Sequence, residues 1–348
     1  MIRLLCVAVA AILAACVLSG CTPRVTSEYG PIALLLPDKK TARYETFDRP
    51  IFEQRIDELG DYDVLYANAD QDPARQQQQA ESALAAGASV LVLDPVDGRA
   101  AVTIVTAANA QGVPVIAYDR MIAGGELAYY ISFDNERVGA LQATALVAEL
   151  DARGLERGGI LMVNGSPTDS NATRFREGAR EIIDASDLTL LASYDTPDWS
   201  PDKAQDWVAG QISQFGDRID GVYAANDGTA SGAVAALRAA AVDPFPVVTG
   251  QDAELTALQR IVAGDQYMTV YKALKQQATR AADAAVDLIH GREIVAETTV
   301  EGTPATLLEP VAVTVDDILD TVVADGFWTV DDICTPAYAD DCAAAGIL

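Results

Sequence analysis

This sequence predicts an α/β protein of two similar lobes, each a parallel sheet flanked by helices. Three observations carry that expectation. From Pro31 onward, short apolar runs alternate with stretches of helical periodicity, joined by connections of a few residues. The alternation restarts after Phe133, so the two halves read as copies of one Rossmann-like architecture. At 348 residues the chain is too long for one comfortable core and suits two domains of ordinary size.

In the first half, strands are expected over residues 32–36, 62–67, 89–93 and 113–117, with helices over 44–59, 73–86 and 99–111. The run from Val113 opens with a proline, which suits a buried strand starting at its edge. It ends in Tyr118-Asp119-Arg120, a carboxylate beside a guanidinium where the strand runs out. A further strand, 129–133, meets Asp134-Asn135-Glu136, an N-cap residue followed by an acid in the first turn of a helix over 136–153. The second half then reads as strands 159–163, 188–194, 221–224, 245–249 and 267–271. Its helices fall over 171–185, 203–215, 230–239 and 253–263. A helix over 274–290 stops at His290-Gly291, and a strand over 309–315 precedes the tail. No long linker divides the halves, which suits a hinge.

The first twenty residues stand apart. Arg3 supplies a minimal basic start, residues 4–18 are an apolar run too short to span a membrane, and Leu18-Ser19-Gly20-Cys21 follows. This reads as a signal peptide over 1–20 whose ending resembles a lipobox, with Cys21 the lipidated first residue of a tether over 21–30. The body is therefore expected outside the cytoplasm, anchored to the membrane through that lipid. With Cys6 and Cys16 removed, Cys334 and Cys342 remain, and an exported chain would pair them in a disulfide.

Half of the residues are hydrophobic, so the chain is globular. Its net charge of −27 argues against nucleic acid as a partner. Enzymatic chemistry finds little support. The only histidine, His290, sits at a predicted helix end, where the terminal carbonyls are its expected partners. There is no GxSxG elbow, Walker A string or dinucleotide fingerprint, and no cofactor is implied. Asp316-Asp317 and Asp331-Asp332 read as helix-start charges, and no metal site is expected.

What stands out is the placement of planar polar and aromatic residues. Arg43 and Tyr44 follow the first strand, and Asp119 and Arg120 end the 113–117 strand. Asn171 opens a helix, and Trp199 sits in the loop after 188–194. Asn226, Asp252 and Lys272 each follow a later strand. Ligands of open parallel sheets bind beyond the carboxyl ends of the strands, so these nine converge on one cleft. Asp, Asn and Arg can bridge adjacent hydroxyls in fixed geometry, while aromatic rings cover C–H faces: the needs of a sugar. The alternative for Asn171, Asn226 and Asp252 taken singly is a helix cap or loop turn.

The strings YDRM, YYISFDNERVGALQA, NGSPTDSNATRFREGA, ANDGTASGA, GQDAELTALQRIVAG and MTVYK occur in that order. They resemble the D-xylose-binding members of the type I periplasmic sugar-binding protein family of bacterial ABC importers, from about Pro31 to Trp328. The resemblance implies that a ligand is held between the lobes by Arg43, Tyr44, Asp119, Arg120, Asn171, Trp199, Asn226, Asp252 and Lys272. It also implies three crossings between lobes, near residues 132–135, 271–273 and 304–310. The lobes are thus expected over 31–133 plus 273–305 and over 134–272 plus 306–348. There are departures from the xylose binders: Tyr44 stands where they carry tryptophan, Leu93-Asp94-Pro95-Val96-Asp97 is more acidic, and the tail adds the Cys334–Cys342 loop.

The expected function is therefore a monomeric, non-enzymatic solute-binding lipoprotein that delivers a monosaccharide, D-xylose first among candidates, to an ABC permease and its ATPase. The rivals are a binder of other or several aldoses (glucose, galactose, arabinose) and a sugar sensor that presents its ligand to a membrane receptor. A repressor with this fold would need a basic DNA-binding element and no export signal.

Overall fold

The structure, a computed structural model, describes residues 29–348. The expected signal peptide, Cys21 and most of the tether lie outside the described residues. Among the described residues, no helix is long and apolar enough to cross a membrane.

The first sheet takes β1 (Ile32–Leu36), β2 (Val64–Asn68), β3 (Val90–Leu93), β4 (Val115–Tyr118) and β5 (Tyr129–Phe133), and later β11 (Thr298–Val300) and β12 (Thr303–Leu308). Their order is β11-β12-β5-β4-β3-β1-β2, with every pair parallel except β11 with β12. β1, β3 and β4 are buried along their whole length, which their unbroken Ile, Leu and Val runs require. Alternate residues feed two cores. Leu35, Leu91 and Leu93 meet α2 (Pro73–Ala85) and α3 (Val102–Asn109) through Leu84, Ile104 and Val105. Ile32, Leu34 and Val92 meet α1 (Arg49–Leu59) through Phe52 and Ile56, and α9 (Leu274–Ile289) through a stripe of alanines.

The second sheet is all parallel, in the order β7-β6-β8-β9: β6 (Gly159–Asn164), β7 (Thr189–Asp195), β8 (Gly221–Ala224) and β9 (Val247–Val248). One face carries α4 (Asn135–Ala152) and α5 (Ser170–Ala185), the other α6 (Pro201–Phe215) and α7 (Asp227–Ala239). A short helix, α8 (Leu255–Val262), leads to β10 (Thr269–Tyr271), which pairs antiparallel with β13 (Val311–Val313) in a separate ribbon. The chain passes between lobes after β5, between β10 and α9, and between β12 and β13. Phe133, Leu274 and Leu308 mark these three crossings and form one small apolar cluster with Phe47 and Phe327. Phe47 and Phe327 stack with ring centroids 4.0 Å apart.

Several elements differ from the sequence reading. The helix expected from residue 44 opens as a wide turn over Tyr44–Asp48 before regular α1. β11 and β12 were not expected, because Thr303-Pro304-Ala305-Thr306 mixes proline and threonine into an otherwise short apolar run. β12 pairs with β5 through Leu308 and Phe133, so the first sheet continues past residue 305, where the lobe boundary was expected. The final strand is correspondingly shorter than 309–315. In the tail, α10 (Val330–Ile333) and α11 (Ala339–Ala344) pack on α8, and a disulfide joins Cys334 to Cys342.

Two glycines set the spacing of α4 and α5. A Cβ on Gly139 would collide with the Phe175 carbonyl, and one on Gly178 with the Glu136 carbonyl. Backbone cannot yield as a flexible side chain can, so alanine at either place must part the helices. Gly178→Ala should cost about 3 kcal/mol of stability, the upper end for overpacking, read from chemical unfolding. A variant as stable as the parent would show that α4 and α5 do not meet this closely.

Candidate functional site

The first lobe brings two cations to its strand ends. Arg43, in the turn after β1, is gripped by Asp48 through Nε and Nη2, both at 2.8 Å. It also donates through Nη2 to Gln277 Oε1 at 2.7 Å and through Nη1 to Asp119 Oδ1 at 3.0 Å. Gln277 comes from α9, so the helix that returns from the second lobe helps to fix the first-lobe wall. Arg120 donates to the Tyr44 hydroxyl at 3.1 Å and to the Pro95 carbonyl at 3.2 Å. Around it stand Asp169 at 2.8 Å, Asp94 at 3.5 Å and Asp38 at 3.7 Å.

The second lobe answers from the ends of β6, β7, β8, β9 and β10. Asp169 caps α5 by accepting the Asn171 N–H, and its Oδ2 accepts the Trp199 indole N–H at 2.9 Å. Asn171 donates to the Asp119 carbonyl at 3.1 Å and accepts from Asn135 at 3.0 Å. Asn226 caps α7 through Oδ1, while its Nδ2 makes no hydrogen bond among the described residues. Lys272 Nζ lies 2.8 Å from Asp252 Oδ1. Beside them Gln251 turns its Nε2 to the Ala225 carbonyl, and its buried Oε1 has no partner.

All nine residues expected from the sequence line one cavity, together with Thr41, Asp169, Phe175 and Gln251. Asp169 escaped the sequence reading because an aspartate two residues before Asn171 looks like an ordinary helix start, and it is one. Asn226 is both cap and cavity wall, so those two readings do not exclude each other. Neither Asn171 nor Asp252 is a cap: Asp169 and Glu254 hold those positions. His290 does not line the cavity, and its ring lies 2.6 Å from the Tyr62 hydroxyl instead of bonding terminal carbonyls. Asp119, Trp199 and Asp252 hold φ values of 61°, 52° and 98°, a region that side chains other than glycine seldom occupy. Such strain persists only where the surrounding packing enforces it.

The lobes also meet beside this cavity. The Gly98 N–H donates to the Thr168 carbonyl at 3.2 Å, and the Met121 N–H to the Ser170 hydroxyl at 2.8 Å. Loop 166–171 therefore lies against both the β3 and the β4 exits.

Charge is tuned by burial and by neighbours. Burial favours a neutral Asp119, but Arg43, Lys272 and Arg120 outweigh it and hold the carboxyl well below the usual range. Burial lifts Asp169 above that range against the pull of Arg120. Asp94 is fully buried, neither oxygen has a hydrogen-bond partner, and burial drives its carboxyl far upward despite Arg120. A group raised in the folded state contributes stability below its unfolded pKa and loses it as pH rises through the folded value. Titrated upward from about pH 4, the parent's thermal midpoint should therefore fall relative to that of Asp94→Asn. Parallel curves for the two proteins would show that Asp94 carries no such penalty.

Comparison with known proteins follows the same lines. Residues 32–293 match the family described as periplasmic binding protein domain. The D-xylose-binding periplasmic protein of Escherichia coli is 36% identical over 85% of this chain and 90% of its own length. A multiple sugar-binding periplasmic receptor of Rhizobium radiobacter is 30% identical over 89% of this chain and 94% of its own. Among solved structures, an ABC transporter solute-binding protein from Clostridium phytofermentans with bound β-D-glucose superposes with a TM-score of 0.81. That pair is 26% identical, covering 87% of this chain and 99% of the other. With two parallel-sheet lobes, three crossings and a polar cleft at the strand ends, this chain belongs to the type I periplasmic sugar-binding proteins of ABC transporters.

Proposed function

We propose that this protein is an extracytoplasmic lipoprotein, tethered through Cys21, that closes on a monosaccharide and hands it to an ABC permease. D-Xylose is the first candidate. The observation that carries the reading is the cavity itself. Residues of both lobes line it, and every one of them carries a polar or an aromatic side chain, the make-up that a sugar ring calls for. Its walls supply donors in Arg43, Arg120, Lys272 and the Asn226 amide, and acceptors in Asp119, Asp252 and Gln251. Trp199, Phe175 and Tyr44 offer apolar faces between them. Polyols are recognised by such alternation of donor and acceptor, with rings against the C–H faces. Loop 166–171 and the β3 and β4 exits come from different lobes, so a ligand touching both would favour the shut form.

The xylose assignment draws on the 36% identity to a xylose binder. A broader aldose reading draws on the multiple sugar-binding relative.

Thermal unfolding of the purified full-length protein with pentoses and hexoses separates the two. A ligand of the folded state adds about 2.7 kcal/mol at a hundredfold excess over its dissociation constant, so the true sugars stand out. A response to xylose alone fits the narrow reading, and responses to several aldoses fit the broad one. Silence toward every sugar would end both. By calorimetry, Arg120→Ala and Asp252→Ala should each lose about 2 kcal/mol or more of binding, because each strands a buried charge. Parent-like affinity in both variants would place the ligand elsewhere.

A further inference from the structure

Asp169 meets three groups that belong to different parts of the cleft. Its Oδ1 accepts the Asn171 N–H at 2.8 Å and so caps α5. Its Oδ2 accepts the Trp199 indole N–H at 2.9 Å and lies 2.8 Å from Arg120 Nε. Asn171 and Trp199 stand on the second lobe with Asp169, whereas Arg120 stands on the first. Of the carboxylates around Arg120, Asp38 and Asp94 are on its own lobe and farther off, at 3.7 and 3.5 Å. Asp169 is the one that reaches across the cleft.

Among the described residues the Trp199 indole makes no other hydrogen bond, and its remaining restraints are packing contacts. Its own φ of 52° follows Asp198 at 58°, a pair of backbone angles that costs free energy. The ring lies against the backbone at Gly165, where a Cβ would strike it, and meets Phe175 edge-on at 6.3 Å. These contacts set the plane of the ring, and the bond to Asp169 sets where the indole N–H points. One oxygen atom thus serves both the ring and the cross-cleft cation.

We infer that Asp169 is a positioning residue that ties closure of the lobes to the placement of the Trp199 ring and the Arg120 guanidinium. When the lobes part, Oδ2 loses Arg120 and keeps only the indole N–H. When they shut, the guanidinium and the indole are brought to one point and present their remaining surfaces to the ligand together. The inference rests on the sugar-binding reading above, since it concerns how that cleft holds its ligand.

The two oxygens can be separated by substitution. Asp169→Asn keeps an acceptor for the Asn171 N–H but turns an amide N–H toward two other donors. Asp169→Ser keeps a good helix cap and is too short to reach Arg120. Both variants and the full-length parent would be compared by ligand-free thermal midpoint, by xylose off-rate in stopped flow, and by the indole fluorescence change on binding. The expected result is a ligand-free midpoint close to the parent's, an off-rate raised about 30-fold or more, and a diminished fluorescence change. Where Asp169→Asn does not fold, Asp169→Ser gives the answer. A parent-like off-rate in the folded variant overturns the inference. So does a lowered midpoint with unchanged release, which would leave Asp169 a helix cap alone. A parent that answers to no sugar would sink the sugar-binding reading and this inference together, whereas a parent that binds while the variants release at its own rate sinks this inference only.

Discussion

A buried charge that finds no partner costs several kcal/mol, and this cleft buries many. Asp38, Asp48, Asp94, Asp119, Asp169 and Asp252 are sealed from solvent together with Arg43, Arg120 and Lys272. The arrangement follows from that constraint. Asp48, Arg43 and Asp119 form one chain, Asp169 and Arg120 another, and Lys272 closes on Asp252. Each guanidinium is a rigid fork, so fixing one carboxylate fixes the next. A small movement of a strand end within its lobe would strand a charge, so each wall holds its own shape, while the Asp169–Arg120 pair joins the two walls only when the lobes are shut.

The scaffold beneath this network is ordinary by comparison. Parallel strands with runs of Ile, Leu and Val deliver loops to one edge, and helices on both faces keep water from the sheet. Less ordinary are the left-handed backbones of Asp119, Trp199 and Asp252. They turn the chain sharply at the strand exits and aim side chains back over the sheet edge. Their cost is met by neighbouring bonds: Asp119 N–H to the Ile131 carbonyl, and Asp252 N–H to that of Val270. Exchanging side chains in this cleft consequently risks more than the contact removed, since a β-branched residue at any of the three would resist the turn.

Much of the fold was legible because buried parallel strands leave continuous apolar runs, and residues 32–36, 90–93 and 115–118 have them. The polar strand ends were legible for the converse reason: Arg, Asp and Asn interrupt those runs at one end only. Other features left no such trace. Gln277 sits in the first turn of α9, where a glutamine reads as solvent-facing, yet it is fully buried and bonds Arg43. Asp94 reads as a loop acid, and only the packing around it shows that neither oxygen is satisfied. β12 carries a proline and two threonines, so its register with β5 emerges only once β5 is in place. Cap and wall also share residues, as at Asn226 and Asp169, and spacing along a sequence reveals the cap alone.

The apolar cluster of Phe47, Phe133, Leu274, Leu308 and Phe327 lies where the three crossings meet. Contacts near an axle shift little as two bodies rotate, whereas those at the far rim separate. If the lobes swing about this cluster, its apolar surface stays covered throughout. What becomes buried on closing is then mainly the polar rim and the charged walls. Exposure of polar surface lowers the heat capacity and exposure of apolar surface raises it, so burial of a mixed, mostly polar face leaves little net change. The closing motion of such a molecule would be almost silent in heat capacity, and its temperature dependence would come from charge and hydrogen bonding instead of from oil and water.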